Sequence, residues 1–156
     1  MQSTGTRTAK GCACISAVVL LLLAGCGGRA KPVPYTDLSA QLRPAEFTRQ
    51  IRQIFRSRAD LSDYLERAMP GRRLHIPQID FARHEAILIA AGPRSSTGYA
   101  LRVLGVREAG SRLVVRIRER TPSLGDRVNA QVTYPFLLLT VPRSDKSLRL
   151  KWLGRP

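Results

Sequence analysis

Apolar residues between positions 45 and 69 recur at helical spacing: Phe47, Ile51, Ile54 and Phe55, then Leu61, Tyr64, Leu65 and Ala68. The period predicts two short helices, with Asp60 placed to cap the second and Met69-Pro70-Gly71 to end it. After Ile79-Asp80-Phe81 the texture becomes β. Residues 86–91 form a continuous apolar run suited to a buried strand. Residues 99–107 and 112–120 follow as a hairpin, turning at Glu108-Ala109-Gly110-Ser111. In its second arm Leu113, Val115 and Ile117 alternate with Val114, Arg116 and Arg118, the pattern of a half-buried sheet. Residues 128–141 predict a long strand broken at Tyr134-Pro135, since proline cannot donate to a ladder. Leu148, Leu150 and Trp152 supply a last alternating strand. The expected class is α+β, a short N-terminal helical segment followed by a small antiparallel β-sandwich or β-sheet domain of five or six strands.

The N-terminal pattern is of another kind. Arg7 and Lys10 precede an apolar run from Cys12 to Gly25. A spanning helix needs roughly 20 apolar residues, so the run has the length of a signal-peptide core instead. It closes on Leu23-Ala24-Gly25-Cys26, which resembles the lipobox of bacterial lipoproteins. That resemblance implies cleavage before Cys26, a diacylglyceryl group on its thiol and a further acyl chain on its freed amine. Each buried methylene contributes about 0.8 kcal/mol, so several chains hold where one does not. The expected organisation is a signal peptide (1–25), a flexible tether (26–44) broken by Pro32, Pro34 and Pro44, a helical lead-in (45–77) and a β domain (78–156). Cys12 and Cys14 leave with the signal, so no disulfide or Cys-x-Cys metal pair is expected. The location implied is a bacterial cell membrane or outer membrane, facing periplasm or exterior. Gly27-Gly28, lacking an aspartate, favours the outer one where two membranes exist.

Charge sharpens the choice of partner. The 156 residues hold 26 basic and 11 acidic side chains, and the net charge is +15. Such a balance favours anionic partners, and export moves the expectation from nucleic acid to membrane surfaces or envelope polymers. Arg49, Arg52, Arg56 and Arg58 fall on one face of the first predicted helix, a basic surface near the anchor.

Catalytic chemistry is sparse. The histidines are His75 and His84. Asp80, His84 and Ser95 or Ser96 can be drawn as a triad, but no nucleophile elbow surrounds the serines. No metal-ligand spacing accompanies the histidines, and Gly92, Gly98 and Gly105 do not form a phosphate loop opening a helix. Neither an enzyme nor a cofactor or metal is expected. Two loops stand out as partner-binding candidates. In the first these are Arg94, Ser95, Ser96, Thr97, Gly98 and Tyr99; in the second, Pro122 and Ser123. A positive φ is expected at Gly98, and Tyr99 either packs inward or meets a partner.

From Ile79-Asp80-Phe81 through Glu85–Gly92 and Ser96-Thr97-Gly98-Tyr99, the sequence resembles the C-terminal domain of the PrcB family. So do Val114–Asp126 and Gln131, Val132, Thr133 and Tyr134-Pro135-Phe136. Usual members have Thr-Gly-Gly-Tyr in the first loop, where this chain has one glycine fewer. The family takes its name from an accessory lipoprotein subunit of a bacterial surface protease complex. The resemblance therefore implies a non-catalytic role: binding, stabilising or assembling an envelope protein, a protease among the candidates. Ser95-Ser96-Thr97-Gly98-Tyr99-Ala100 is also similar to the Pro-Thr-Thr-Gly-Tyr loop of chagasin-type peptidase inhibitors, whose Arg-Pro-Trp loop has only Tyr134-Pro135-Phe136 as an echo. That similarity implies a loop entering a protease cleft.

Overall fold

A computed structural model describes residues 30–154. The segment expected to be a signal peptide, with Cys26, lies outside the described residues. Eight strands form two four-stranded sheets: β1 (Lys31–Val33), β2 (Thr36–Asp37), β3 (Ile51–Phe55), β4 (His84–Ala90), β5 (Ala100–Ala109), β6 (Arg112–Arg120), β7 (Phe136–Pro142) and β8 (Ser147–Leu153). One sheet runs β1-β5-β6-β8 and the other β2-β7-β4-β3. One α-helix, α1 (Arg58–Ala68), follows β3. The described residues are thus mostly β, with a single short α-helix.

Two apolar clusters define three layers. Ile87 and Ile89 of β4 and Leu137, Leu139 and Val141 of β7 meet Val106, Leu113, Val115 and Ile117 of the other sheet. This is the interior of a sandwich. On the far side of β4 and β7, Ala86, Leu88, Ala90 and Leu138 pack against Leu42, Phe47, Leu61, Leu65 and Met69. Here α1 and the segment preceding β3 lie over the sheet, which is therefore covered on both faces. Continuous hydrophobicity in β4 follows from that double burial.

Several expectations need correction. The segment from 45 to 55, predicted as a helix, holds strand β3. Its apolar spacing fits both periods: Ile51 and Phe55 face one way on a helix or on a strand, and pairing with β4 decides between them. Arg49, Arg52, Arg56 and Arg58 consequently share no helical face. Arg56 instead bonds Glu85 and the carbonyls of Ser144 and Lys146. The helix cap is Ser57, whose side chain accepts from the Asp60 backbone N–H at 3.0 Å, where Asp60 itself was expected. The predicted tether is folded from residue 31 onward. β1 and β2 add to the sheet edges, Pro32 sits in an edge strand where no ladder donor is needed, and Leu42 is fully buried.

The hairpin β5–β6 turns as expected, with Gly110 at φ 58°. The predicted strand 128–141 begins only at Phe136, directly after Pro135. The last strand, β8, pairs with β6 in parallel, not antiparallel. The chain crosses to the other sheet for β7 and returns, which restores its direction.

Candidate functional site

Antiparallel pairing places Ala90 opposite Phe136, and Ala100 opposite Arg120. Four strand ends therefore meet at one end of the sandwich. The two connections that cross it, residues 91–99 and 121–135, contain the loops singled out by their sequences, the second lengthened by residues 128–135, which were expected to be strand. They are laced together by backbone. Arg94 and Thr133 exchange hydrogen bonds of 2.8 and 2.9 Å, and the Thr97 N–H donates to the Asn129 carbonyl at 3.2 Å. The Thr97 Oγ1 accepts from the Asn129 N–H at 3.0 Å, and the Thr133 hydroxyl donates to the Ser96 carbonyl at 2.8 Å. A connection of fifteen residues would ordinarily be free; this one is held to its neighbour by these five hydrogen bonds.

Gly98 has an ordinary φ, contrary to expectation; a missing side chain matters there for a different reason. A Cβ at this position would lie 2.6 Å from Val128 Cγ1 and 2.7 Å from Pro122 Cβ. The glycine lets the two loops touch. Pro122 is thus a packing partner of the first loop, while Ser123 beside it is exposed.

Arg94, expected at the surface, is largely enclosed. Its Nε donates to Glu119 Oε1 at 2.5 Å, and its Nη1 donates to the carbonyls of Ala91 and Pro93. The hydrogen-bonded Glu119 carboxylate raises the guanidinium pKa further above its usual range, against the opposing effect of burial. Glu119 occupies an inward position of β6, continuing the row Leu113, Val115, Ile117, and is almost wholly buried. Tyr99 lies beside this pair, its ring centroid 6.0 Å from the Arg94 guanidinium carbon. A buried charge needs a partner, so the Arg94–Glu119 pair fixes the first loop onto β6. Ser96 is also buried. Of the predicted contact residues, Ser95, Thr97 and Ser123 remain exposed.

The exposed material that sequence reasoning missed lies on the second loop. Leu124 is fully exposed, and Val132 and Val128 are 55% and 37% exposed. A tight turn presents Leu124: Asp126 Oδ2 accepts from the Ser123 N–H and from Arg120 Nη2, both at 3.0 Å, and the Asp126 N–H returns to the Ser123 carbonyl. The Ser123 amide, and to a lesser degree Arg120, hold the Asp126 pKa below the ordinary carboxylate value. Beside this end a groove of about 570 Å³ runs between residues 43–46 and Thr97, Tyr99, Thr133, Tyr134, Pro135 and Phe136.

The remaining chemistry-bearing residues are dispersed. His84 opens β4 while Ser95 and Ser96 lie beyond its other end, about 20 Å away at strand rise, so no triad forms. Among the described residues no three of His, Cys, Asp and Glu group as a metal site, and no helix is long and apolar enough to cross a membrane.

Residues 86–142 match the family model PrcB C-terminal, which supports the assignment made from the sequence. The matched segment runs from β4 through β7 and contains both loops. No curated protein and no solved structure matches the chain.

Proposed function

We propose that this chain is a lipid-anchored, non-catalytic envelope protein that binds and stabilises a partner protein through the loop end of its sandwich. One observation carries the reading: Leu124, Val128 and Val132 are apolar, solvent-facing and mounted on a loop pinned to its neighbour. Exposed apolar side chains on a preorganised loop lower the ordering cost of association. The PrcB C-terminal match favours a subunit of a protease complex, or a protein associated with one, as the partner. The lipobox-like ending at Cys26 favours attachment through that thiol, close to where β1 begins.

Crosslinking in intact cells followed by purification from membranes tests the reading. The wild-type chain should recover a defined protein, and a variant carrying Leu124→Asp with Val132→Asp should lose it while remaining folded. Equal recovery by both would remove the loop end as the binding surface. Cys26→Ser should shift the protein out of the membrane fraction.

A chagasin-like inhibitory loop has less support. Within residues 95–100 only Ser95 and Thr97 are exposed, and the segment lies hydrogen-bonded along 129–133. Stoichiometric inhibition of a papain-like peptidase would reverse that preference.

A further inference from the structure

The outer face of the sheet β1-β5-β6-β8 carries a density of positive charge that, among the described residues, only the Asp126 carboxylate offsets. Register assigns each side chain to a face. Leu113, Val115 and Ile117 point into the sandwich, so Arg112, Arg116, Arg118 and Arg120 of β6 point out. Arg102 lies opposite Arg118 and Arg107 opposite Val114, which places both on the same outer face. On β8, Arg149 pairs with Val114 and Lys151 with Arg116. Eight exposed cations therefore share one face. The two carboxylates on these strands, Glu108 and Glu119, both point inward, where they pair with Lys146 and Arg94. Among the described residues, only Arg120 of these eight has an ion-pair partner, Asp126.

Such an arrangement opposes folding. Arg102 faces Arg118 and Arg116 faces Lys151 directly across strands, and like charges at opposed positions destabilise a sheet. Among the described residues no carboxylate pairs with these four cations; an anionic partner would remove the repulsion.

We infer that this face docks on an anionic membrane surface, its arginines meeting phosphate-bearing lipid head groups. Three features select a membrane over other polyanions. The face is a sheet surface, not a groove: β5 contributes the small residues Ala100, Gly105 and Ala109, with Leu104 exposed at the bulge beside Gly105. No outward position on β5, β6 or β8 is aromatic, so the stacking platforms by which sheets hold single-stranded nucleic acid are missing. Nor does it carry the central aromatic anchors typical of protein interfaces. Finally, the edge strand of this same sheet, β1, begins five residues after Cys26, a reach of at most about 17 Å for extended chain. This last point rests on the lipid anchor proposed above; the charge pattern does not. Docked this way, the sheet lies along the head groups, and the two loops at its end remain at the sheet's margin, available to a protein.

The full chain carrying Cys26→Ser tests the face without its lipid, in cosedimentation with vesicles of phosphatidylcholine, with and without phosphatidylglycerol. Binding should require phosphatidylglycerol and collapse at high salt, because exposed contacts are screened. Each arginine near such a surface multiplies partitioning roughly fivefold. Arg102→Gln, Arg116→Gln and Arg118→Gln together should thus weaken it about a hundredfold. Arg49→Gln, Arg67→Gln and Arg73→Gln remove the same charge from exposed positions elsewhere and should change it little. An equal loss in both triple variants would show net charge alone at work and overturn the assignment to this face. Absence of binding to phosphatidylglycerol vesicles would overturn it outright, as would a preference for an oligonucleotide over those vesicles. Because the lipid is already gone, neither failure bears on Cys26, and partner recovery through Leu124 and Val132 is read separately.

Discussion

From Glu85 to Ala90, β4 buries six residues in succession, whereas β6 buries every second one from Leu113 to Glu119. Both strands are central in four-stranded sheets of one sandwich. What differs is the layer outside them. Beyond β4 lie α1, Leu42 and Phe47; beyond β6, among the described residues, lies solvent. Two covered faces leave little room for charge. The one carboxylate on β4, Glu85, is held by Arg56 at 3.0 Å and by the Ser144 hydroxyl at 2.8 Å. One free face lets charge accumulate at alternate positions, and here it accumulates with a single sign. The doubly covered sheet therefore concentrates stability, while the half-covered sheet and the loops at its end present the surfaces proposed for binding.

Placing the same residue on the outward side of each sheet breaks or sharpens this contrast most directly. Leu88 is fully buried beneath the helical layer, and Arg116 occupies the exposed face. Leu88→Asn loses the buried side chain and strands an amide, at a cost of about 4 kcal/mol or more. In a domain of this size such a loss lowers the thermal midpoint by many degrees or abolishes the cooperative transition. Arg116→Asn should move stability by no more than about 0.5 kcal/mol and should raise it if cross-strand repulsion dominates. Denaturant titration of the two variants decides the matter. Comparable losses in both would mean that the arginine face is integral to the fold.

The half-covered sheet was the more legible in the sequence. Alternation from Leu113 to Ile117 predicted its strand and faces, and Gly110 marked its turn. Even its buried ion pair left a trace. Glu119 continues the inward row, and an inward carboxylate implies a buried cation, which the structure supplies as Arg94. The doubly covered sheet was harder to read. Its β4 run was evident, but β3 was hidden because Ile51 and Phe55 satisfy both periods. Short edge strands β1 and β2 were hidden because prolines among polar residues read as a tether. The Arg56–Glu85 and Arg94–Thr133 contacts join residues 29 and 39 positions apart, separations that no local pattern reports. At the loop end the hydroxyl- and glycine-rich stretches were found, but their roles were exchanged. Ser96 is buried and Arg94 half-buried against Glu119, whereas Leu124, Val128 and Val132, read as loop and strand material, face solvent.

Gly98 tests whether the loops act as one surface. A methyl group there meets Pro122 and Val128 at distances no Cβ tolerates, and the nearest atoms include a proline ring that cannot swing aside. Gly98→Ala should therefore part the loops at a cost of about 1–3 kcal/mol, without disturbing either sheet. Amide exchange would quicken at Thr97, Asn129 and Thr133 and stay slow in β4 and β7. Partner capture should fall with it if binding needs the loops joined. Unchanged capture would confine the contact to Leu124 and its immediate turn.

The smallest effect is expected from pH, and it acts on that turn alone. Asp126 accepts from the Ser123 amide and from Arg120, and its pKa is lowered by the amide first. A carboxyl depressed in the folded state contributes stability that is fully present above its unfolded pKa. That contribution is lost as pH falls through the lower folded value. Binding at neutral pH should therefore be insensitive to this group, and the turn should loosen only in acid below the ordinary carboxylate range. Side-chain carboxyl NMR would show Asp126 titrating below a free aspartate, with Ser123 amide exchange rising in the same interval. Asp126→Asn would abolish that step while keeping an acceptor for Ser123, so residual order in the turn would measure what the charge adds to the hydrogen bond. If the wild-type turn stayed ordered through its full titration, the contacts around Gly98, not the Asp126 carboxylate, would be what presents Leu124.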